Sequence, residues 1–341
     1  MYTEEDLNQA IEEGIFSREA VAHFRNHIQA GRGSARQDEE NFRLVSGFND
    51  IFVVLACALL LISSAWIGGE GNVLAPFIVA LLSWPLAEFF VRKRKMALPA
   101  IFLLITFVGG VFATAYLLVA DTSLENQLMI ASSAAAIAAY LHWLRFAVPV
   151  TVAAGAAAVA TLIAASIGPH LEWGDNLLYL ILALGVAMFM YAMYWDTRDR
   201  KRITRNTDVA FWLHLLSAPL IVHPVFSLLG ILEGQQDPTR LGLVIALYLA
   251  LTLISLVVDR RAFMVSALIY VLYALNELLE GVGLQDQGFA FAGLLISGSL
   301  LMLSGFWHKS RGFVLQWVPE PVRRRVPEAG GVFTSVASTH H

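Results

Sequence analysis

The chain has 341 residues, of which 57% are hydrophobic and only 15% charged, with a formal net charge of −4. A water-soluble domain of this size needs about 25% charged residues to cover its surface, so a soluble globular fold is excluded. One cysteine, Cys57, rules out an intramolecular disulfide and any cysteine-built zinc or iron–sulfur site, and no cofactor is expected.

In chain order, residues 1–50 form a polar head. Thr3 and Asp6 read as a capping box before the stripe Leu7, Ala10 and Ile11, and Gly14 ends that helix. Ser17 then caps a second helix with the stripe Val21, Phe24 and Ile28, and Gly31-Arg32-Gly33-Ser34 is a connector. Ten acids against five bases make the head acidic, which argues against nucleic acid and for a small contact with a cytoplasmic protein or docking on the chain's own cytoplasmic loops. His23 and His27 stand four residues apart, but without a third ligand nearby a solvated helix face accounts for them, and no metal site is expected. With three acids in its first six residues and no early apolar core, the head is not a secretory signal.

Ten apolar stretches follow, each long enough to cross a bilayer as a helix: Ile51–Gly68, Val73–Val91, Ala97–Ala120, Asn126–Trp143, Ala147–Gly168, Asn176–Trp195, Val209–Leu232, Leu241–Val258, Ala262–Leu279 and Gly288–Trp307. The connections alternate in charge. Of the 23 lysines and arginines, 22 fall in the head, the tail and alternate loops, leaving only Arg240 on the other side. Basic loops stay in the cytoplasm, so both termini are expected there. The fold class is therefore all-α: a polytopic bundle of about ten spans over residues 51–307, a small helical head, and a basic tail over 308–341.

Lys95-Met96-Ala97-Leu98-Pro99 recurs as Arg145-Phe146-Ala147-Val148-Pro149, with a looser third copy at Arg261-Ala262-Phe263-Met264-Val265. The fifty-residue period fits tandem two-helix hairpins, and equally fits hairpins of similar length arising independently. The segment Ala10-Ile11-Glu12-Glu13-Gly14-Ile15-Phe16-Ser17-Arg18-Glu19-Ala20, followed by a polar linker and a polytopic body, resembles the opening of certain predicted bacterial inner-membrane proteins of unknown function. That resemblance implies a bacterial inner-membrane location and carries over no activity.

Ionisable side chains inside a membrane helix are the first candidates for function. His214 and His223 lie in the seventh span beside Pro219 and Pro224, which remove backbone donors and predict a kinked or opened helix. A polar transport site and simple interhelical packing both fit. Asn276, Glu277 and Glu280 follow Tyr273 late in the ninth span, and Tyr273, Glu277 and Glu280 share a helix face. His223 and Glu277 lie about 21 and 22 Å from the inner ends of their spans, so a His–Glu pair is geometrically open. Glu88, His142 and His214 share a shallow level at the basic side, where solvation accounts for Glu88 and His142.

Ala134-Ala135-Ala136 and Ala153-Ala154-Gly155-Ala156-Ala157-Ala158 predict close helix packing. The tail, with Phe313, Val314, Trp317 and Arg323-Arg324-Arg325, suits a position along the inner interface, with anionic lipid as its partner. No Walker A loop, HExxH, GxSxG or Rossmann glycine pattern occurs, so ATP-driven transport by this chain alone and zincin or α/β-hydrolase chemistry are not supported. A non-catalytic scaffold or sensor that recruits a cytoplasmic partner is the leading expectation. A secondary transporter or channel for a small solute, centred on His223, is the alternative, and an intramembrane enzyme is remote.

Overall fold

Where the sequence runs apolar for the width of a bilayer, the chain in the computed structural model is helical, and the gaps between helices are short. The structure describes residues 11, 13, 15–17, 19–21, 48–69, 71–171, 175–200, 202, 204–230, 238–281 and 288–327, leaving aside the side chains of 273–281 and of scattered positions in the last three long helices. The helices are α1 (Phe48–Gly68), α2 (Leu74–Ala87), α3 (Ala97–Leu118), α4 (Leu124–Phe146), α5 (Val150–Ile167), α6 (Asp175–Arg198), α7 (Asn206–Leu228), α8 (Pro238–Val258), α9 (Ala262–Gly281), α10 (Gly288–Leu315) and the one-turn α11 (Glu320–Arg323). Among the described residues the chain is all-helical.

Seven helices, α1 to α7, are long and apolar enough to cross a membrane, α2 together with the π-helical turn Glu88–Lys93 that continues it. For α8 and α9 the apolar segments that meet the same description, Gly242–Val258 and Ala262–Leu272, are shorter. Large apolar side chains face outward along these helices; Leu59 is 70% exposed and Ile67 88%. Each square ångström of such surface costs about 25 cal/mol in water, so the exterior suits hydrocarbon.

Two compact units divide the chain: residues 1–41 with 329–341, and the body over 42–328. Within the first, Ser17 Oγ accepts the Ala20 amide at 3.0 Å, and Val21 in the turn that follows is buried. Ser17 thus caps the start of a helical turn, as its sequence position predicts. The capping box at Thr3, the histidines His23 and His27, and the other stripe residues except Ile11 lie outside the described residues.

Inside the body, consecutive helices pack against one another from α1 to α7, most extensively α6 on α7. Helix α7 also meets α5 and α9 and is the most enclosed, with half of its central window buried. Its apolar contacts fall in two groups: Val209 and Leu213 pack with Ala153 of α5 and with Met188 and Ala192 of α6, while Ala218, Val222 and Phe226 pack with α8 and α9. The helix runs unbroken through Pro219 and Pro224. Pro224 frees the carbonyl of Leu220, and Gly185 of α6 lies against that same carbonyl; a Cβ at 185 would stand 2.8 Å from it. Only glycine permits this approach.

The turns at the basic end share a device. Lys95, Ala147, Arg202 and Asp259 all hold positive φ, near +50 to +60°, which costs a residue with a Cβ roughly 1 kcal/mol or more. The two matched pentapeptides nonetheless differ in register, since Pro99 sits inside the first turn of α3 while Pro149 precedes α5. They resemble each other in sequence more than in turn geometry.

Candidate functional site: a buried ion network at the basic end of α6 to α10

Aspartates in the midst of the basic loops organise this site. Asp196, in the last turn of α6, is 1% exposed and holds two cationic or polar partners. Its Oδ2 lies 2.8 Å from His214 Nε2 on α7, and its Oδ1 accepts from Arg260 Nη2 at 2.6 Å. Arg260 Nη2 also donates to the Thr207 carbonyl at 3.2 Å. Three segments far apart in sequence are thereby tied at one carboxylate.

Asp259, between α8 and α9, is the second centre. Its Oδ2 lies 2.8 Å from Arg202 Nη1. Its Oδ1 accepts from the Trp307 indole at 2.9 Å and stands 3.3 Å from Arg311 Nε, both on α10. Arg202 Nη2 reaches the Asp259 carbonyl at 3.0 Å, so one guanidinium clasps both the side chain and the backbone of that turn. The positive φ of Asp259 and Arg202 is held in place by this pairing. Burial presses the Arg202 pKa downward, with Arg260 adding to it, while Asp259 and Asp196 work the other way. A guanidinium titrates so high that it stays charged regardless.

Asp199 is the third acid. Its Oδ2 accepts from the Thr204 amide and hydroxyl, both at 2.7 Å, and from the Thr207 hydroxyl at 2.9 Å, which shapes the loop into α7. Arg311 extends the network into the tail, donating to the Leu256 carbonyl at 3.2 Å and to the Pro327 carbonyl at 2.7 Å. Arg200 donates to the Val326 carbonyl at 3.2 Å. Among the described residues, buried Asp196 is paired with the guanidinium of Arg260, and buried Asp259 with those of Arg202 and Arg311. Isolated charges at this depth would cost several kcal/mol each; matched and hydrogen-bonded, they can persist.

The residues singled out by sequence fall apart spatially. His214 is fully buried and belongs to the network; its Nδ1 has no hydrogen-bond partner among the described residues and its ring lies edge-on to Phe189 at 5.4 Å. His223 is exposed, and its Nδ1 lies 2.7 Å from the Tyr270 hydroxyl on α9. Helices α7 and α9 are adjacent, as a His223 partnership on α9 requires. Asn276, Glu277 and Glu280 lie on α9 with side chains outside the described residues.

His142 is fully buried rather than solvated. Its Nδ1 lies 3.1 Å from the Thr151 hydroxyl, and Trp84, Phe107 and Phe146 surround its ring. Glu88 ties the ends of α2 and α4 through a two-point contact with Arg145, at 2.5 and 3.0 Å. The expected shared polar layer of Glu88, His142 and His214 does not form as one contact group: each has different partners.

Sequence reasoning missed Asp196, Asp199 and Asp259. The signal was there: they are acids embedded in loops that the positive-inside rule fills with arginine. Two cavities in the body are apolar and peripheral, about 550 Å³ among α4, α5 and α6 and about 690 Å³ between α2 and α3, and neither is lined by an ion of the network. Among the described residues no group of three or more potential metal ligands occurs. Comparisons with protein-family models, with curated proteins and with solved structures return no match.

Proposed function

We propose that the protein is a ten-span scaffold of the bacterial inner membrane that keeps both termini in the cytoplasm and offers its N-terminal head to a cytoplasmic protein. One observation carries this reading: the buried, ion-paired network that joins α6, α7, the α8–α9 turn, α10 and the tail. A transporter must exchange two arrangements of its helices around a site near mid-bilayer. Opening this end would strand buried charges, at about 3–5 kcal/mol for each broken pair. A locked end suits a fixed platform. The ten-span topology is supported by the placement of 22 of the 23 basic residues and by the lengths of α8, α9 and α10, which are 21, 20 and 28 residues.

Reporter fusions after Asn72, Ser123, Asp175, Gln236 and Gln287 should read outside, and those after Lys95, Arg202 and Arg261 inside; a reversal at a basic loop would remove the topology. The function itself is tested by cross-linking in native membranes with the full chain and with a chain lacking residues 1–46. A discrete protein cross-linked in fixed ratio to the full chain, and lost with the head, is the expected result. Solute flux into proteoliposomes that disappears in His223→Ala would overturn it.

That outcome belongs to the second reading, a small-solute transporter. It is favoured by the His223–Tyr270 hydrogen bond beside Pro219 and Pro224, a polar pair that bridges α7 and α9.

A further inference from the structure

The tail leaves α10 and returns to the body within twelve residues, and both ends of that excursion are fixed. Leu315 is buried where it departs, and Val326 and Pro327 are buried where it returns, their carbonyls held by Arg200 and Arg311. Between these anchors the surface is two-sided in composition. Phe313 is 63% exposed and Trp317 79%, one helical turn apart with ring centroids separated by 6.5 Å, and Val322 is exposed after them. Lys309, Arg323, Arg324 and Arg325 are exposed beside one exposed carboxylate among the described residues of the tail, Glu320.

Glu320 engages Arg323 at 2.5 Å and Arg324 at 3.2 Å and neutralises part of that charge; Arg325 has no acidic partner among the described residues. The excess is positive, so its complement is an anion. The aromatic pair continues directly from α10, whose outer side chains include the lipid-suited Leu294 and Leu301. Indole rings prefer the level of the headgroups, and arginines next to them reach phosphate.

From this juxtaposition we propose that residues 313–325 form a docking surface for the anionic phospholipid headgroups of the membrane that holds the protein, with Phe313 and Trp317 seated at the acyl boundary and Arg323–Arg325 on the phosphates. The returning end is fastened to the ion network through Arg200 and Arg311, which confines the segment near the end of α10 and leaves the stretch between free to settle on the bilayer. It rests on α10 being a membrane span.

The test uses the full chain with Cys57→Ala, carrying a nitroxide at Val322→Cys, in nanodiscs of phosphatidylcholine alone or mixed with phosphatidylglycerol. Collision with oxygen and with a water-soluble nickel chelate reports depth. In the mixed discs the label should move from aqueous to interfacial. Each of Arg323→Gln, Arg324→Gln and Arg325→Gln should weaken the docked population up to roughly five-fold, the factor set by about 1 kcal/mol per cation, with Arg325→Gln nearest that limit because Glu320 does not share it. Equal accessibility in the two lipids, or a lipid response kept by the triple variant, overturns the proposal. A second label at Leu301→Cys reports on the span itself: if it is aqueous, both the ten-span reading and this surface fall, whereas a lipid-buried Leu301 with an unresponsive Val322 removes this surface alone.

Discussion

Helices α2 to α5 and helices α6 to α10 solve the same packing problem with different chemistry. In α2 to α5 the buried polar side chains are Ser83, Ser132, His142 and Thr151, and no carboxylate or guanidinium is buried among the described residues. Their hydroxyls turn back on their own helices or meet one another: Ser132 bonds to Leu128, and Ser83 meets Thr106 at 2.9 Å. Alanine does the rest, with Ala135 and Ala139 of α4 packed beside Ala158 of α5. Apolar surface gives no net attraction between helices when lipid is the alternative, so close approach of small residues must supply the contact. In α6 to α10 the basic end is instead tied by ions. The lesson is that the basic loops hold two kinds of arginine: some, such as Arg92 and Arg94, are exposed, and others, such as Arg260 and Arg311, are built into the fold.

The largest effect is expected where an ion is stranded. Arg260→Ala leaves Asp196 buried with one partner fewer and should lower stability in detergent by about 3–5 kcal/mol, measured by thermal or denaturant unfolding. Asp196→Asn combined with Arg260→Gln should cost clearly less than the two single changes added together. Additive effects would mean that the two side chains are not coupled and would break the comparison at its centre.

The two buried histidines offer the next contrast. His214→Phe removes a hydrogen bond to a charged group, a loss of about 1.5–3 kcal/mol, whereas His142→Phe removes one to a hydroxyl within an aromatic cage, about 1 kcal/mol or less. Equal losses in the same unfolding assay would show that the ionic half is no more dependent on its polar contacts than the other.

Glycine probes ask what the halves share. At Gly110 a Cβ would lie 2.9 Å from the Pro76 carbonyl, at Gly185 2.8 Å from that of Leu220, and at Gly109 nothing stands within 4 Å. Gly110→Leu and Gly185→Leu should each cost about 1–3 kcal/mol, while Gly109→Leu should leave the melting temperature nearly unchanged. The smallest effect belongs to Glu88→Gln. Its contacts with Arg145 and Arg92 are exposed, and its melting curve should overlay that of the parent protein.

Much of the helical layout is legible in the sequence, because apolar length is a local property. Helix α3 was expected over Ala97–Ala120 and runs Ala97–Leu118; α9 was expected over Ala262–Leu279 and runs Ala262–Gly281. The exception is α10. Apolar content ends at Trp307, but the helix continues to Leu315, since backbone hydrogen bonding does not stop where polarity begins. That extra length carries Arg311 to Asp259.

The site was half legible. His214 stands out as a lone ionisable group in an apolar run, but its partner is eighteen residues earlier, in a turn whose charge was read only as a sign of sidedness. Depth matching pairs His223 with Glu277, whose side chain lies outside the described residues; the partner described on α9 is Tyr270. Tyr270 lies two turns before Glu277, and sequence position along a helix says nothing of tilt or rotation.

The order of synthesis gives the Asp259 cluster a further meaning. Arg202 leaves the ribosome 57 residues before Asp259, and Arg311 follows 52 residues after it. The first pairing therefore waits for α7 and α8 to be made, and the second for α10. Until Arg311 arrives with the carbonyl of Pro327 behind it, Asp259 holds an incomplete set of partners. A chain stalled before that point holds Asp259 through Arg202 alone, without the Trp307 and Arg311 contacts that complete the set.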